Sequence, residues 1–321
     1  MAVRIVSLVP SATEIVASLG LVDQLVGRSH ECDFPPEVAQ VPALTASLIP
    51  ADLAPQEVDA WVSRVVREQG SPYRLDHEAL RRLGPDLVLT QGVCQVCAVS
   101  YAEVQRAVAN PCQVVLPEAA PTARTLSLAP ERLQDVLDDI ERVAEAAGVP
   151  DRGRAVRRGL EARIEAVRER SRGLLRPRVF CMEWLAPPWC GGHWVPEMVE
   201  LAGGQDCLGE VGQPSRRLRW EDVRAADPDV IVLMPCGYDL DETLRQYRQV
   251  LAEGGLPAWW GELRAVREGR LFAVDAGACF SRPGPRLVDG LETLAEILHP
   301  ERFGRERMGR QWAPVSGRVA A

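Results

Sequence analysis

Between Pro150 and Pro177 the chain reads as a charged helix with a narrow apolar stripe. Val156, Leu160, Ile164 and Val167 recur at intervals of four, four and three, the spacing that keeps side chains on one helical face. Asp151 stands where it can cap the start after Pro150, and Gly173 with Pro177 supplies a stop. A helix of about 22 residues would reach roughly 33 Å, the width of a small domain. On either side the pattern changes to short apolar runs followed by amphipathic stretches, the alternation that builds α/β folds. The expectation is an α/β chain of two Rossmann-like lobes with central, mostly parallel sheets, residues 1–149 and 177–303, joined by one long backbone helix over 150–176. An ordinary crossover helix inside a single sheet is the alternative. Residues 304–321 carry neither pattern and are expected to form a disordered tail.

In the first lobe a strand is predicted over Arg4–Val9, followed by a helix that carries Ile15, Val16 and Leu19 to Gly20 and is capped by Ser11 or Thr13. A second strand, Gln24–Arg28, leads into the polar loop His30-Glu31-Cys32-Asp33. Helices are predicted over Pro55–Gln69 and Asp76–Leu83, then a strand over Leu87–Thr90 that opens into Gln91-Gly92-Val93-Cys94-Gln95-Val96-Cys97. Strand Gln113–Leu116 and helix Pro130–Ala147 close the lobe. The second lobe repeats the plan: strand Arg178–Glu183, a loop from Trp184 to Trp194, helices Pro196–Ala202 and Trp220–Ala226, strands Val230–Leu233 and Leu271–Val274, and a last helix Leu287–Leu298. Asp227-Pro228-Asp229 before one strand echoes Gly84-Pro85-Asp86 before another, which hints that the lobes are related.

A chain of 321 residues is long enough for two cores, and 46% hydrophobic with 26% charged residues is a globular balance. No apolar run is long enough to span a membrane, so no membrane insertion is expected. Met1 is followed almost at once by the first strand, which leaves no room for a signal peptide. The chain as written is therefore expected in the cytoplasm, or in the periplasm or at the cell surface if a leader was removed. Nine cysteines, odd in number and scattered, read as thiols rather than a disulfide framework. A net charge of −8 argues against nucleic acid as a partner. All 37 basic residues are arginine, which excludes Schiff-base chemistry, pyridoxal phosphate attachment and a Walker-type phosphate loop.

In open parallel sheets ligands gather beyond the carboxyl ends of the strands. Only 5% of the residues are Phe, Trp or Tyr, yet Trp184, Trp189 and Trp194 share one post-strand loop, and Tyr238 and Phe280 follow other strands. Such rings suit a large flat ligand. The alternative is that some of them cover the core. His30, Cys32, Cys94, Cys97, Cys190 and His193 are metal-type ligands, and Cys94-Gln95-Val96-Cys97 has the spacing of half a zinc site, though no second pair follows. Thiol redox chemistry at Cys94 and Cys97 is a further option. The chain has no GxSxG, no HExxH and few histidines, so it reads as a binding protein and not an enzyme.

The opening RIVSLVPSATEIVASLG, then VGRSHECDFPPE, LGPDLVLTQG, the long connecting helix and GRLFAVDAGACFSRPGPRLVDGLETLAEILHP together resemble the helical-backbone (class III, TroA-like) substrate-binding proteins of ABC importers. The likeness covers nearly all of residues 3–300 and is greatest to the vitamin B12-binding branch, with iron–siderophore binders close by. It implies two α/β lobes on a rigid helix, and a cobalamin-type corrinoid lying flat between them against aromatic side chains. Carried over by position, the ligand set is His30, Gln91, Trp184, Trp189, Trp220, Phe280 and Arg282, to which the strand-end reading adds Trp194 and Tyr238. Gln91 stands where the family pattern has an aromatic residue, and the Cys94/Cys97 loop lies outside that pattern. A metal ion, if one is held, would fall to His30, Cys94, Cys97 and His193. The implied partners are a small-molecule ligand and an ABC permease. The alternatives for the ligand are a ferric siderophore, haem or a metal ion. A start at Met1 also suggests an intracellular relative that carries or senses a corrinoid.

Overall fold

The computed structural model describes residues 2–50, 55–69, 71–92, 104 and 123–315. The chain divides into two compact units, Met1–Pro130 with Asp135–Arg158, and Glu131–Gln134 with Gly159–Ala321. The division falls inside the long helix, which belongs to each unit along part of its length.

The first unit contains β1 (Ile5–Ser7), α1 (Pro10–Ser18), β2 (Leu25–Arg28), β3 (Thr45–Ser47), α2 (Pro55–Gln69), β4 (Tyr73–Leu75), α3 (His77–Leu83), β5 (Leu87–Gln91), β6 (Arg124–Leu128), α4 (Leu133–Ala146) and the start of α5 (Pro150–Ser171). Its sheet has the order β2-β1-β5-β6, parallel throughout. Strands β1 and β5 are buried along their whole length, including Ser7, Thr90 and Gln91, as strands covered on both faces of a parallel sheet are. A separate antiparallel ribbon pairs β3 with β4.

Helix α1 starts two residues earlier than a Ser11 cap would place it, and four earlier than a Thr13 cap. Val9 is its N-cap and Pro10 its first residue, because proline has its φ preset and no N–H to satisfy. Thr13 is instead buried, its hydroxyl 2.8 Å from Ser7 Oγ and 3.0 Å from Cys32 Sγ. It thereby ties the helix to β1 and to the loop after β2. Asp76 caps α3 through the Ala79 N–H at 2.9 Å, and Gly84 closes it at φ 51°. Strand β6 was not legible in the sequence, and the strand expected over Gln113–Leu116 lies outside the described residues.

The second unit contains the rest of α5, then β7 (Arg178–Trp184), β8 (Trp189–Cys190), α6 (Val195–Leu201), β9 (Gln205–Asp206), α7 (Trp220–Ala226), β10 (Val230–Leu233) and α8 (Leu240–Ala252). After these come α9 (Arg264–Arg267), β11 (Leu271–Val274), α10 (Ala276–Cys279), α11 (Leu287–Leu298), α12 (Pro300–Phe303) and β12 (Trp312–Pro314). The sheet runs β12-β11-β10-β7-β8, with β9 also on β7. Strands β7, β10 and β11 are parallel, and β8 and β12 are antiparallel additions. Phe180, Met182, Ile231, Leu233, Leu271 and Ala273 form the sheet's share of the core, all fully buried.

The C-terminal stretch corrects an expectation. Residues 304–315 are not a loose tail. Trp312 is 3% exposed and its indole N–H donates to Glu296 Oε2 at 3.0 Å. Arg307 pairs with Glu296 at 2.8 Å and also with Glu292. A strand of three residues with a single large apolar side chain is too short to show a period. Helix α8 also went unread, although Asp239 caps it at the Glu242 N–H, 2.8 Å away. Along α5, Leu160 and Val167 of the predicted stripe are buried, and Val156 and Ile164 are half-buried. Among the described residues no helix is long and apolar enough to cross a membrane.

Candidate ligand-binding surfaces

In the second unit β7 ends at Trp184, and the turn that follows brings the chain back so that Trp189 stands directly opposite Trp184. The pairing is irregular between Met182 and Trp184, a bulge that re-aims the end of β7. Tyr238, from the loop after β10, joins them with its ring 5.6 Å from that of Trp184 and tilted by 54°. All three aromatics are half-buried, whereas their neighbours Met182, Leu185 and Cys190 are fully buried. The Tyr238 loop is pinned on both sides. The Gly237 N–H donates to Ser281 Oγ at 3.1 Å, and the Gly277 N–H donates to the Tyr238 carbonyl at 2.8 Å. Burial pushes the Tyr238 phenol up to about 12, so it stays a neutral hydroxyl. The Trp184 indole N–H is buried with no hydrogen-bond partner, an unsatisfied donor at the edge of an aromatic group.

Two other predicted aromatics are structural. Trp194 is 7% exposed and donates its indole N–H to the Phe280 carbonyl at 2.9 Å, and Phe280 itself is 2% exposed. Their faces are occupied by packing and not open to a ligand. Trp220 packs on Trp259 and Trp260, with ring centroids 6.4 and 5.8 Å away. Arg282 is half-buried beside Asp275, whose carboxyl is pushed up by burial while Arg286 and Arg282 oppose. His193 has a left-handed backbone at φ 51° and its ring stacks on Trp194 at 5.5 Å. Burial holds its imidazole below the usual range, with Glu131 opposing.

Sequence reasoning missed Glu183 and the segment around Ser215. Glu183 accepts the Gly192 N–H at 3.3 Å and the Ser215 hydroxyl. Gly192 has to be glycine, because a Cβ there would lie 2.2 Å from the Ser215 nitrogen.

The first unit offers a different chemistry at its strand ends. The Thr45 hydroxyl donates to Ser29 Oγ at 3.1 Å and accepts the His30 backbone N–H at 3.0 Å. His30 Nδ1 lies 2.7 Å from the same Thr45 hydroxyl, which fixes the orientation of the imidazole. Tyr73 donates its hydroxyl to Glu31 Oε1 at 3.1 Å, and its ring lies 5.5 Å from that of His30. Burial lowers the His30 pKa, with Arg28 adding to the effect and Glu31 opposing it. Gln91 ends β5 and is 8% exposed. Thr45 and Tyr73 sit in a stretch that reads as irregular, and only the β3–β4 ribbon brings them to His30.

Among the described residues no three His, Cys, Asp or Glu side chains converge on a point that could hold a metal ion. Of the candidate metal ligands, His30 is engaged with Thr45 and His193 with Trp194, while Cys94 and Cys97 lie outside the described residues. Burial pushes up the thiols of Cys181 and Cys190, and that of Cys207 to about 12. Such thiols are poor nucleophiles.

A parallel sheet in each unit, a helix continuing from one unit to the other and an aromatic group at the strand ends define a solute-binding protein. The chain belongs to the periplasmic binding protein family, which residues 5–278 match. A vitamin B12-binding protein of Vibrio cholerae is 24% identical over 298 residues, covering 92% of this chain and 88% of that one. The solved periplasmic vitamin B12-binding protein BtuF of Vibrio cholerae superposes with a TM-score of 0.65 at 21% identity, over 92% of this chain and 97% of that one. A periplasmic heme-binding protein, RhuT from Roseiflexus sp. RS-1, gives 0.66 at 24% identity, over 93% and 98%. At such identities the structural likenesses establish the fold.

Proposed function

We propose that the chain is a non-enzymatic receptor for a corrinoid, held flat against Trp184, Trp189 and Tyr238 and passed to an ABC permease. The observation that carries this reading is the gathering of three half-exposed rings at the carboxyl end of a parallel sheet. That is where α/β folds take ligands, and broad rings suit a broad flat one. The vitamin B12-binding relatives support the same class of ligand.

The test is an absorption titration of the purified chain with cyanocobalamin and dicyanocobinamide. Saturable binding with shifted corrin bands is expected, weakened at least tenfold in a Trp184→Ala/Trp189→Ala variant. A wild-type chain that leaves the corrin spectrum unchanged overturns the reading. Haem or a ferric siderophore is the second reading, favoured by His30, whose ring is held in place by the contact of Nδ1 with Thr45. A Soret shift on adding haemin, lost in His30→Ala, would select it. Recovery from the periplasmic or surface fraction would mark a receptor that feeds a permease, and recovery from the cytosol a carrier or sensor.

A further inference from the structure

We infer that Arg217 is an anion-recognising residue of this surface, which takes a phosphate or carboxylate carried on the rim of the flat ligand. The inference rests on the aromatic-surface reading and adds a chemical requirement to the ligand. It comes from a strand-like segment that no periodicity announced. Residues 213–218 lie antiparallel along residues 188–193. The Cys190 N–H donates to the Arg216 carbonyl at 3.1 Å, the Leu218 N–H to Pro188 at 2.8 Å, and the His193 N–H to Gln213 at 2.6 Å. Between the first two bonds, Trp189 faces Arg217. This is the non-hydrogen-bonded position, where opposed side chains come closest, about 4.5 Å between Cα atoms.

Burial distinguishes the two sides in part, although Arg216, which alternation would group with Leu218, is exposed. Pro188, Cys190 and Leu218 are buried, with Cys190 and Leu218 part of the core. Trp189 is half-buried and Arg217 exposed. Trp189 also pairs with Trp184 across an irregular step in β7, so indole, indole and guanidinium come from three neighbouring segments. Steps of about 5 Å between opposed residues put the guanidinium at the margin of a ligand that covers both indoles.

The other arginines of this stretch are engaged, Arg216 with the Leu208 carbonyl at 3.1 Å and Arg219 with Asp222 at 2.6 Å. Arg217 makes no hydrogen bond or ion pair among the described residues. Its backbone is nonetheless held in place, because Ser215 is anchored on Glu183 and packs where Gly192 has no Cβ. A guanidinium on a fixed backbone presents a planar fork of donors suited to a phosphate or carboxylate. A rim without an anionic group gains nothing from it.

The experiment compares full-length wild type, Arg217→Ala and Arg217→Lys with three probes. Cyanocobalamin carries a phosphodiester, dicyanocobinamide carries the same macrocycle without it, and haemin carries two carboxylates. Arg217→Ala should weaken cyanocobalamin about tenfold or more and change cobinamide less than twofold, and Arg217→Lys should recover part of the loss. Added salt should narrow the cobalamin-to-cobinamide ratio in wild type and not in Arg217→Ala. A loss confined to cyanocobalamin identifies a phosphodiester reader, and a loss confined to haemin a carboxylate reader. Equal losses for cobinamide and cyanocobalamin, or no loss for any probe, overturn the inference. Failure of the aromatic reading shows separately, as undiminished cobinamide binding in Trp184→Ala/Trp189→Ala.

Discussion

At the carboxyl ends of their strands the two units present opposite chemistries. The first shows hydroxyls, an imidazole and a carboxylate, and these bond to one another in the network of Ser29, Thr45, His30, Glu31 and Tyr73. The second shows two indoles and a phenol, with an indole N–H that has no partner. A network that satisfies itself is rigid and leaves little for a ligand to displace. Half-exposed rings keep apolar area in contact with water, which a ligand can cover. The difference leaves the half-exposed aromatic rings in the second unit and a self-bonded polar network in the first.

The largest effect that would break this contrast is steric. Gly192→Ala drives a Cβ into backbone 2.2 Å away, whereas Gly27→Ala in the first unit meets the Leu44 and Leu83 methyl tips at 2.6 and 3.0 Å. The first should cost about 3 kcal/mol and the second about 1 kcal/mol in urea unfolding, and only Gly192→Ala should also weaken corrinoid binding. Next come two indoles in the second unit that look alike in sequence. Trp194→Phe strands the Phe280 carbonyl and should cost about 1–2 kcal/mol. Trp184→Phe removes a donor that is already unsatisfied and should be neutral in the ligand-free chain.

A smaller, pH-dependent effect is shared. Each unit buries one carboxyl with an unpartnered Oδ2, Asp139 in the first and Asp206 in the second, both pushed by burial from about 4 to about 6. The folded chain therefore binds more protons than the unfolded one between these values, and stability should fall as pH rises through that window. Asp206→Asn should remove on the order of 1–2 kcal/mol of that fall, read from urea midpoints at pH 4.5 and 7. The smallest effect belongs to the polar network. Tyr73→Phe deletes the bond to Glu31 and should cost about 0.5–1 kcal/mol, with the His30 imidazole titration by NMR reporting whether its surroundings moved.

Elements with a clear apolar pattern were legible in the sequence. The helices Pro55–Gln69, Trp220–Ala226 and Leu287–Leu298 and the strands Val230–Leu233 and Leu271–Val274 lie where the apolar pattern puts them. Trp184, Trp189 and Tyr238 were legible as candidates because a post-strand position is a statement about topology. Whether a ring is open or packed is not such a statement. Trp194 and Phe280 share that position and are buried, since their exposure depends on a carbonyl-to-indole bond across 86 residues of sequence. Arg217 was invisible for a related reason. Its partner strand is two residues long, and nothing in the segment 213–218 alternates strongly enough to announce a strand.

The last short strand guards one margin of its sheet. Strand β12 is the outermost of its sheet, three residues long and ending in Pro314, which has no N–H to donate. On the opposite margin, residues 213–218 cover β8. The second unit's sheet is thus closed at both margins to strand-on-strand growth. Loss of β12, as by cleavage at Arg310, would leave the β11 edge at Leu271–Val274 unpaired.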